Sequence, residues 1–257
     1  HGRGHRFKSC IDHHNEKLRQ ENLLILDLKL ATLPEIAAHY ASDQQAWVRA
    51  NMIVSSDGHF VGAGDSSRDL TGDSDLKLLV LLRALSDVVL VGANTARLEN
   101  YRQPKAREEF AFLNRKPPRL AVVSSSLDFD LTSPMFSGGL EPTIIVNVGG
   151  TSASAELMHV AQVVDVPAEA SDTGAFATTL IAKLADLGLQ SVTCEGGPSL
   201  LAQLLKAQVV DEYDLAISPI VVGGTPLWPD ARPNPKDWVE VGLAAADDFE
   251  FKRLLRS

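Results

Sequence analysis

The sequence alternates between apolar segments rich in Val, Ile and Leu and amphipathic segments in which apolar residues recur at helical spacing. The apolar segments predict strands at WVRANMIV (47–54), DVVLVGA (87–93), RLAVVSS (119–125), TIIVNV (143–148), QVVDV (162–166), QSVTCEG (190–196) and DEYDLAISPIVVGG (211–224). The amphipathic segments predict helices at DLKLLVLLRAL (75–85), AFATTLIAKLADLG (175–188) and PSLLAQLLKAQ (198–208). This order predicts an α/β fold, with a mainly parallel sheet covered by helices on both faces.

The two ends of the chain differ from this pattern. In the tail WVEVGLAAADDFEFKRLL (238–255), apolar residues alternate with polar or small ones around an acidic turn, which predicts an antiparallel strand pair and hence a mixed sheet. Near the start, Thr32 and Glu35 have the spacing of a capping box for a short helix. The first 17 residues show no periodicity. We therefore expect a partly disordered or non-native extension over residues 1–30 and a single domain over residues 31–257.

Composition excludes several classes of function. A chain of 257 residues with 45% hydrophobic content supports a packed core, and it lacks the run of about 18 apolar residues that a membrane span needs. The net charge of −9 argues against binding to nucleic-acid backbones. The two cysteines predict no disulfide framework and favour a reducing, cytoplasmic location. Cys10 with His13 and His14 makes too weak a cluster for a metal site, so we predict no metal.

Polar residues follow the predicted strands at their carboxyl ends, where ligands bind in folds of this kind. The strand at 47–54 leads into Ser-Ser-Asp-Gly, which contains Asp57 and is also an ordinary turn sequence. The segment SSRDLTGDSD (66–75) places hydroxyls and Arg68 just before a helix, where Thr71, Asp73 or Ser74 could instead serve as a helix cap.

Two strand ends are rich in glycine. In VLVGANTARLENY (89–101) Gly92 precedes a predicted helix start, and in VTCEGGPSLLAQLL (192–205) Glu195 precedes Gly-Gly-Pro-Ser. Glycine lets backbone approach a ligand, and a helix N-terminus supplies N–H donors for a phosphate. A tight turn without ligand explains each motif as well, so neither is decisive alone.

Taken in order, these motifs resemble the reductase domain of bacterial riboflavin biosynthesis, a pyrimidine reductase family within the dihydrofolate-reductase-like fold. The resemblance rests on NMIVSSDG, on SSRDLTGDSDLKLLVLLRALSDVVLVGANTARLENY and on CEGGPSLLAQLLKAQVVDEYDLAISPIVVGG, and it runs from about residue 47 to 224. It implies an NADPH-dependent oxidoreductase that reduces the ribosyl group of a phosphorylated aminouracil to ribityl. The hydride would reach the sugar C1 after ring opening to an imine.

The resemblance also implies roles for individual residues. The implied cofactor-binding residues are Gly92, Asn94, Thr95, Ser124, Gly196, Gly197 and Ser199. The implied substrate-binding residues are Asn51, Ser67, Arg68, Thr71, Glu99 and Arg102, with Arg68 and Arg102 toward the phosphate. The implied catalytic residues are Glu195 and Asp57. Family members pair through the region of the predicted strand at 211–224, which implies a homodimer.

The chain departs from the family pattern at three places. Leu98-Glu99-Asn100-Tyr101 stands where the riboflavin enzymes usually have Ala-Asp-Asp/Asn-Pro, and Asn51 stands where several of them have lysine. The linked deaminase domain has a Pro-Cys-x-x-Cys zinc motif that is absent from this sequence, so no deaminase is expected. Two alternatives stay open: a reductase of another pyrimidine-like or pterin-like substrate, and a dinucleotide-binding protein without catalysis.

Overall fold

A single ten-stranded sheet organises the protein. The computed structural model describes residues 25–64, 66–167, 174–223, 234 and 236–257. The strands are β1 (Ile25–Asp27), β2 (Trp47–Ser55), β3 (Val88–Gly92), β4 (Arg119–Ser124), β5 (Thr143–Val148), β6 (Ala161–Val166), β7 (Ser191–Cys194), β8 (Glu212–Ser218), β9 (Trp238–Ala246) and β10 (Phe249–Arg256). Their spatial order is β1-β9-β10-β8-β2-β7-β3-β4-β5-β6.

The predicted fold class is confirmed. From β8 across to β6 all neighbouring strands are parallel, whereas β10 pairs antiparallel with both β8 and β9. The helices are α1 (Leu33–Tyr40), α2 (Asp73–Ala84), α3 (Ala93–Leu98), α4 (Ala155–Val160), α5 (Ala175–Asp186) and α6 (Pro198–Lys206). Short 3₁₀ turns lie at Ser67–Asp69, Glu108–Leu113 and Pro134–Phe136. Among the described residues, no helix is long and apolar enough to cross a membrane.

Both faces of the sheet are covered, as the continuous apolar strands require. Along β3, Val88 and Leu90 belong to one buried cluster with residues of α5 and α6. The alternate residues Val89 and Val91 belong to another cluster that includes residues of α3 and α4. Because successive strand residues point to opposite faces, β3 is buried on both sides, and its carboxyl end is held rigidly between two helical layers.

A buried ion network fixes β2 against β8 and β10. Glu212 of β8 accepts from Arg49 Nε at 3.1 Å and from Arg253 Nε at 2.9 Å, and Arg49 Nε also lies 2.9 Å from Asp214 Oδ2. Glu212 and Asp214 are almost fully buried. Burial acts to raise the pKa of Glu212, but the charges of Arg49 and Arg253 lower it overall, whereas burial and the charge of Glu212 raise the pKa of Asp214 well above its usual range. The network fixes the register of β2 at Arg49, two residues before Asn51.

The capping box that the sequence predicts for the first helix is confirmed. The Glu35 N–H donates to the Thr32 hydroxyl, and the Thr32 N–H donates to the Glu35 carboxylate at 2.8 Å, so the capping box of α1 is present. Residues 1–24, with Cys10, His13 and His14, lie outside the described residues. The division into an extension over residues 1–30 and a domain over residues 31–257 stays a prediction, although β1 pairs with β9.

One predicted strand boundary was wrong, and the helix-cap alternative for the segment 66–75 does not hold. The strand predicted at 211–224 ends at Ser218, because Pro219 has no N–H to donate and β8 pairs on both sides. The helix α2 is capped by Gly72, which makes no side-chain cap bond, so Thr71, Asp73 and Ser74 do not cap it. The hydroxyl of Ser74 donates instead to Asp247 at 2.5 Å, in the turn between β9 and β10.

Candidate active site

Three neighbouring parallel strands, β2, β7 and β3, end on the same edge of the sheet. Ala50 of β2 and Leu90 of β3 both pair with Cys194 of β7. The next residues, Asn51 and Glu195, are therefore level with each other at this edge. The Glu195 N–H continues the ladder by donating to the Leu90 carbonyl at 2.9 Å.

A cleft of about 220 Å³ opens over this edge. It is mostly apolar in its walls, with polar groups converging from β2, from the start of α2, from the end of α3 and from the turn after β7. The residues that line it are Asn51, Met52, Ile53, Phe60, Val61, Ser67, Thr71, Asp75, Leu79, Thr95, Leu98, Glu99, Tyr101, Glu195, Gly197 and Pro198. A concave apolar site with a few convergent polar groups is typical of ligand binding.

Two glycine turns form one wall of this edge by direct backbone contact. The Gly92 N–H donates to the Gly196 carbonyl at 2.9 Å, and a Cβ on Gly92 would lie 3.4 Å from the Gly197 nitrogen. Gly196 has φ +88°, a conformation that other residues rarely adopt, and its peptide bond to Gly197 is cis. A Cβ on Gly197 would overlap the Thr95 hydroxyl. Glycine is therefore required at Gly196 by its backbone conformation and favoured at Gly197 by the contact with Thr95.

The two turns bring the N-termini of α3 and α6 beside each other. Gly92 and Gly197 are the cap residues of these helices, and neither cap has a side-chain hydrogen bond. Asn94 and Ser199 are exposed at the first turns of the helices, and the Asn94 Oδ1 accepts from Arg97 at 2.8 Å. Uncapped N–H groups at a helix start are donors for an anion.

Ser124 ends β4, two strands away from the glycine turn after β7. Its side chain is buried, and its Oγ accepts from the Leu127 N–H at 3.2 Å. Ser124 is therefore on the same edge of the sheet, but it does not line the cleft.

The carboxylate of Glu195 is held from two sides. Arg83 donates to it through Nε at 2.6 Å and Nη2 at 2.7 Å, and the Tyr101 hydroxyl donates to Oε2 at 2.7 Å. The Arg83 guanidinium also lies 5.5 Å from the centre of the Tyr101 ring. Burial and then the charge of Glu195 raise the pKa of Tyr101, which keeps its hydroxyl protonated as a donor. Glu195 is thus fixed in one position, with its charge balanced.

A second carboxylate, Glu99, is held in the same manner at the end of α3. Its oxygens accept from the Ser66 hydroxyl at 3.0 Å, from the Ser67 N–H at 3.0 Å and from Arg68 Nε at 3.0 Å. Arg68 also donates to the Glu99 carbonyl. This network ties the 3₁₀ turn before α2 to the end of α3, and it closes one side of the cleft.

Asp75 is a third carboxyl group in the cleft, and its surroundings differ. It is 7% exposed, and the Thr71 side chain hydrogen-bonds to it. Among the residues that the structure describes, no Lys or Arg forms an ion pair with it. Burial, helped by the nearby charge of Glu195, raises its pKa to about 6, although the Thr71 bond acts in the opposite direction.

Asp57 lies apart from the cleft lining. Its carboxylate accepts from the Ser55 hydroxyl at 2.6 Å and from the N–H groups of Val222 at 3.1 Å and Gly223 at 2.7 Å. The Ser55 hydroxyl and these N–H groups hold the pKa of Asp57 well below its usual range. The geometry makes Asp57 a tie between the turn after β2 and the segment after β8.

A larger cleft of about 1040 Å³ adjoins the first one, sharing with it the wall made by Ser67, Thr71, Glu99 and Tyr101. Its basic lining residues are Arg68, Arg83, Arg102, Lys105, Arg107, Arg115 and Lys116, and its acidic ones are Asp73, Glu99 and Glu108. In a chain of net charge −9, this is a local concentration of positive charge that suits an anionic group.

The structure therefore brings most of the sequence-predicted residues together. Asn51, Ser67, Thr71, Thr95, Glu99, Glu195 and Gly197 line the cleft; Arg68 and Arg102 line the basic cleft beside it; and Gly92, Gly196, Asn94 and Ser199 lie at the glycine turns. Sequence reasoning missed Asp75 and Arg83. Both lie on α2, each four residues from Leu79, so their shared helix face was a usable signal.

Comparisons with known proteins identify the family of this chain. The sequence model of the RibD C-terminal domain matches residues 46–247. The chain belongs to the RibD C-terminal domain family. A 2,5-diamino-6-ribosylamino-4(3H)-pyrimidinone 5′-phosphate reductase from Methanothermobacter thermautotrophicus is 30% identical over 186 residues, which cover 69% of this chain and 80% of that protein. The family resemblance stated from the motifs is therefore confirmed.

Solved structures share the fold. A pyrimidine reductase-like protein from Corynebacterium diphtheriae has a TM-score of 0.72 at 25% identity, over 88% of this chain and 99% of that one. A deaminase/5-amino-6-(5-phosphoribosylamino)uracil reductase from Thermotoga maritima has a TM-score of 0.63 at 17% identity, over 87% of this chain and 60% of that one. The second likeness shows the fold alone.

Proposed function

We propose that this protein is an oxidoreductase that uses NADPH to reduce the ribosyl group of a phosphorylated ribosylaminouracil to ribityl. The observation that carries the proposal is the meeting of two features at one sheet edge: the paired glycine turns, and the cleft that contains Glu195 and Asn51. Membership of the RibD C-terminal domain family and the name of the Methanothermobacter thermautotrophicus relative support the substrate class.

The glycine turns fit a dinucleotide. A Cβ at Gly197 would overlap Thr95, and the N-termini of α3 and α6 leave backbone donors without side-chain caps. We assign Gly92, Gly196 and Gly197 to the phosphates through their backbone, since glycine alone allows a ligand to come so close. Asn94, Thr95, Ser199 and Ser124 are the polar side chains along the same edge that we assign to the cofactor. When bound, NADPH supplies the hydride.

We place the substrate across both clefts, with its ring and sugar in the smaller cleft and its phosphate in the basic one. Asn51, Ser67, Thr71 and Glu99 offer hydrogen bonds to a polar ring and sugar inside the cleft. Arg68 and Arg102 lie in the adjoining basic cleft, where we place the substrate phosphate. The Arg68 side chain is 64% exposed, so it can serve a phosphate while its Nε stays on Glu99.

Glu195 is the residue that we place beside the reacting carbon. Because Arg83 and Tyr101 fix its carboxylate, it needs no reorganisation to face positive charge that develops on the substrate. A fixed anion at this point stabilises an iminium more than the neutral imine before it. Asp57 does not line the cleft, so for this residue we propose a positioning role through its hold on Val222 and Gly223.

One observation favours a different substrate of the same chemical class. Tyr101 stands where the riboflavin enzymes usually have proline, and its hydroxyl reaches Glu195 across the cleft. A pocket narrowed by this ring can select another pyrimidine-like or pterin-like compound. Steady-state assays with both kinds of compound separate the two candidates, since the proposed function requires the higher kcat/KM with the ribosylaminouracil phosphate.

We also propose that the protein is a cytoplasmic homodimer. The segment after β8 exposes Ile220 and Val221, at 41% and 72%, beside the strand through which the family resemblance implies pairing. Cys194, by contrast, is buried with a free thiol whose pKa burial raises to about 12, so it is unreactive toward partners. Light scattering at micromolar concentration tests the dimer, and a monomer would refute it.

The test of the function uses the full chain. We expect purified protein to bind NADPH more tightly than NADH and to oxidise it only when the ribosylaminouracil phosphate is added. Glu195→Gln should bind NADPH with unchanged affinity but lose turnover by about 100-fold or more. NADPH binding without turnover of any tested compound would favour a binding protein without catalysis. Failure to bind NADPH would refute the proposal.

A further inference from the structure

The cleft contains three carboxyl groups, and two of them are fully committed. Glu195 is bound by Arg83 and Tyr101, and Glu99 is bound by Arg68 and two serines. Reduction of an imine needs a proton as well as a hydride, and neither of these two carboxylates, each already paired with an arginine, is suited to supply it.

Asp75 is the third carboxyl group of the cleft, and it is not paired with an arginine as Glu195 and Glu99 are. It is the third residue of α2, and it lines the cleft with Asn51, Thr71 and Glu195. The Thr71 side chain hydrogen-bonds to it, and within the described part of the chain no Lys or Arg pairs with it. A carboxyl group that is 7% exposed, faces a second carboxylate and has no cation favours its protonated form.

The groups that face Asp75 come from every element around it. Glu195 approaches from the end of β7, and Glu99 and Tyr101 approach from the end of α3. On its own helix, Arg83 is turned to Glu195. Behind the helix start, Ser74 binds Asp247, whose charge is also shared with Lys29. The N-terminus of α2 favours a charged aspartate, but burial and Glu195 outweigh it, and the pKa of Asp75 rises to about 6.

We propose that Asp75 is the proton donor of the reduction, a role that rests on the function proposed above. Its carboxylic acid O–H would give its proton to the imine nitrogen, while bound NADPH would supply the hydride that C1 gains, so that the C=N bond would become a C–N bond. The substrate would gain one proton and one hydride, NADPH would leave as NADP⁺, and Asp75 would be left as a carboxylate. Water then restores the proton of Asp75 before the next turnover.

The test compares Asp75→Asn with wild type and with Asp186→Asn. Asp186 is the control, because it is an exposed aspartate on a helix, α5, and it lines neither cleft. We expect Asp75→Asn to lower kcat by about 100-fold or more, with KM for the substrate and Kd for NADPH within about threefold of wild type. Asp75→Glu should recover part of the loss, and Asp186→Asn should behave as wild type.

The pH profile provides an independent readout. A group that must be protonated to act loses activity as pH rises through its pKa, so wild-type kcat should fall above about pH 6, tenfold per unit. The small residual rate of Asp75→Asn should lack this fall. If Asp75→Asn does not fold, as judged by circular dichroism, the wild-type profile decides.

Three results would overturn the inference. These are a kcat of Asp75→Asn within threefold of wild type, a loss confined to KM, and a wild-type kcat that does not fall between pH 6 and 8. A wild type that binds NADPH without reducing the ribosylaminouracil phosphate would refute the proposed function and this step together. A wild type and an Asp75→Asn variant that turn over equally fast would refute the assignment of Asp75 alone.

Discussion

Replacing Arg83 by methionine should destabilise the fold, because it removes the cation that balances a buried carboxylate. The Glu195 side chain is 4% exposed and receives both guanidinium bonds at 2.6 and 2.7 Å. Removing one partner of a buried pair typically costs about 3–5 kcal/mol. Since Arg83 is itself 26% exposed, water reaches one side of the pair. We therefore expect the low end of this range, about 3 kcal/mol of unfolding free energy.

The assay is urea unfolding followed by circular dichroism, with Arg107→Met as the matched control. Arg107 forms a comparable pair with Glu109 at 3.2 Å, but both side chains are 51% exposed, so its loss should cost less than about 1 kcal/mol. The double variant Arg83→Met/Glu195→Gln removes both charges. It should be more stable than Arg83→Met, with a coupling energy of about 2 kcal/mol.

Two results would refute this reasoning. One is an Arg83→Met variant that loses no more stability than Arg107→Met. The other is a coupling energy indistinguishable from zero between Arg83 and Glu195. Either result would mean that Arg83 does not hold the carboxylate, and the fixed position of Glu195 in the proposed function would lose its basis.

Three further predictions follow from the site. Tyr101→Phe removes a charge-assisted hydrogen bond to Glu195 and should lower the unfolding free energy by about 1.5 kcal/mol in urea titrations, since Arg83 still pairs with the carboxylate; an unchanged midpoint would contradict it. Gly197→Ala places a Cβ against Thr95 and should weaken NADPH binding at least tenfold by fluorescence titration, whereas Gly197→Ala/Thr95→Ala should recover part of the affinity; no recovery would show that the overlap is not the cause. The pKa of Asp75 is raised to about 6 in the folded protein. Its contribution to the unfolding free energy is therefore fully present below its unfolded-state pKa and is lost as pH rises toward 6. Asp75→Asn should therefore gain up to roughly 3 kcal/mol relative to wild type between pH 4 and 7, and parallel pH profiles would refute this.

The parts of the fold that depend on local pattern could be predicted from the sequence. The alternation of apolar strands and amphipathic helices was enough to predict the parallel sheet, and the capping box predicted the start of α1. The break of β8 at Pro219 depended on the strand being paired on both sides, which the sequence does not state. The proline signal was visible, but its consequence depended on the position of β8 within the sheet.

The position of the site could be predicted from the sequence, but part of its chemistry could not. Strand ends and glycines are local signals, so the edge that carries Gly92 and Glu195 could be predicted before the structure was known. The partners of Glu195 could not, because Arg83 and Tyr101 lie 112 and 94 residues away in the chain and meet it only in the folded protein, Arg83 from α2 and Tyr101 from the segment after α3. The burial that sets Asp75 apart from Asp73 is likewise a property of the packed helix.

The most direct test of the central claim is isotope transfer. Wild-type protein is incubated with the ribosylaminouracil phosphate and with NADPH that carries deuterium at its nicotinamide C4, and the product is analysed by NMR and mass spectrometry. The account predicts a ribityl product with one deuterium on the former sugar C1, and almost none with Glu195→Gln. Unreduced substrate recovered from a protein that binds NADPH, or deuterium at a ring carbon of the pyrimidine, would contradict it.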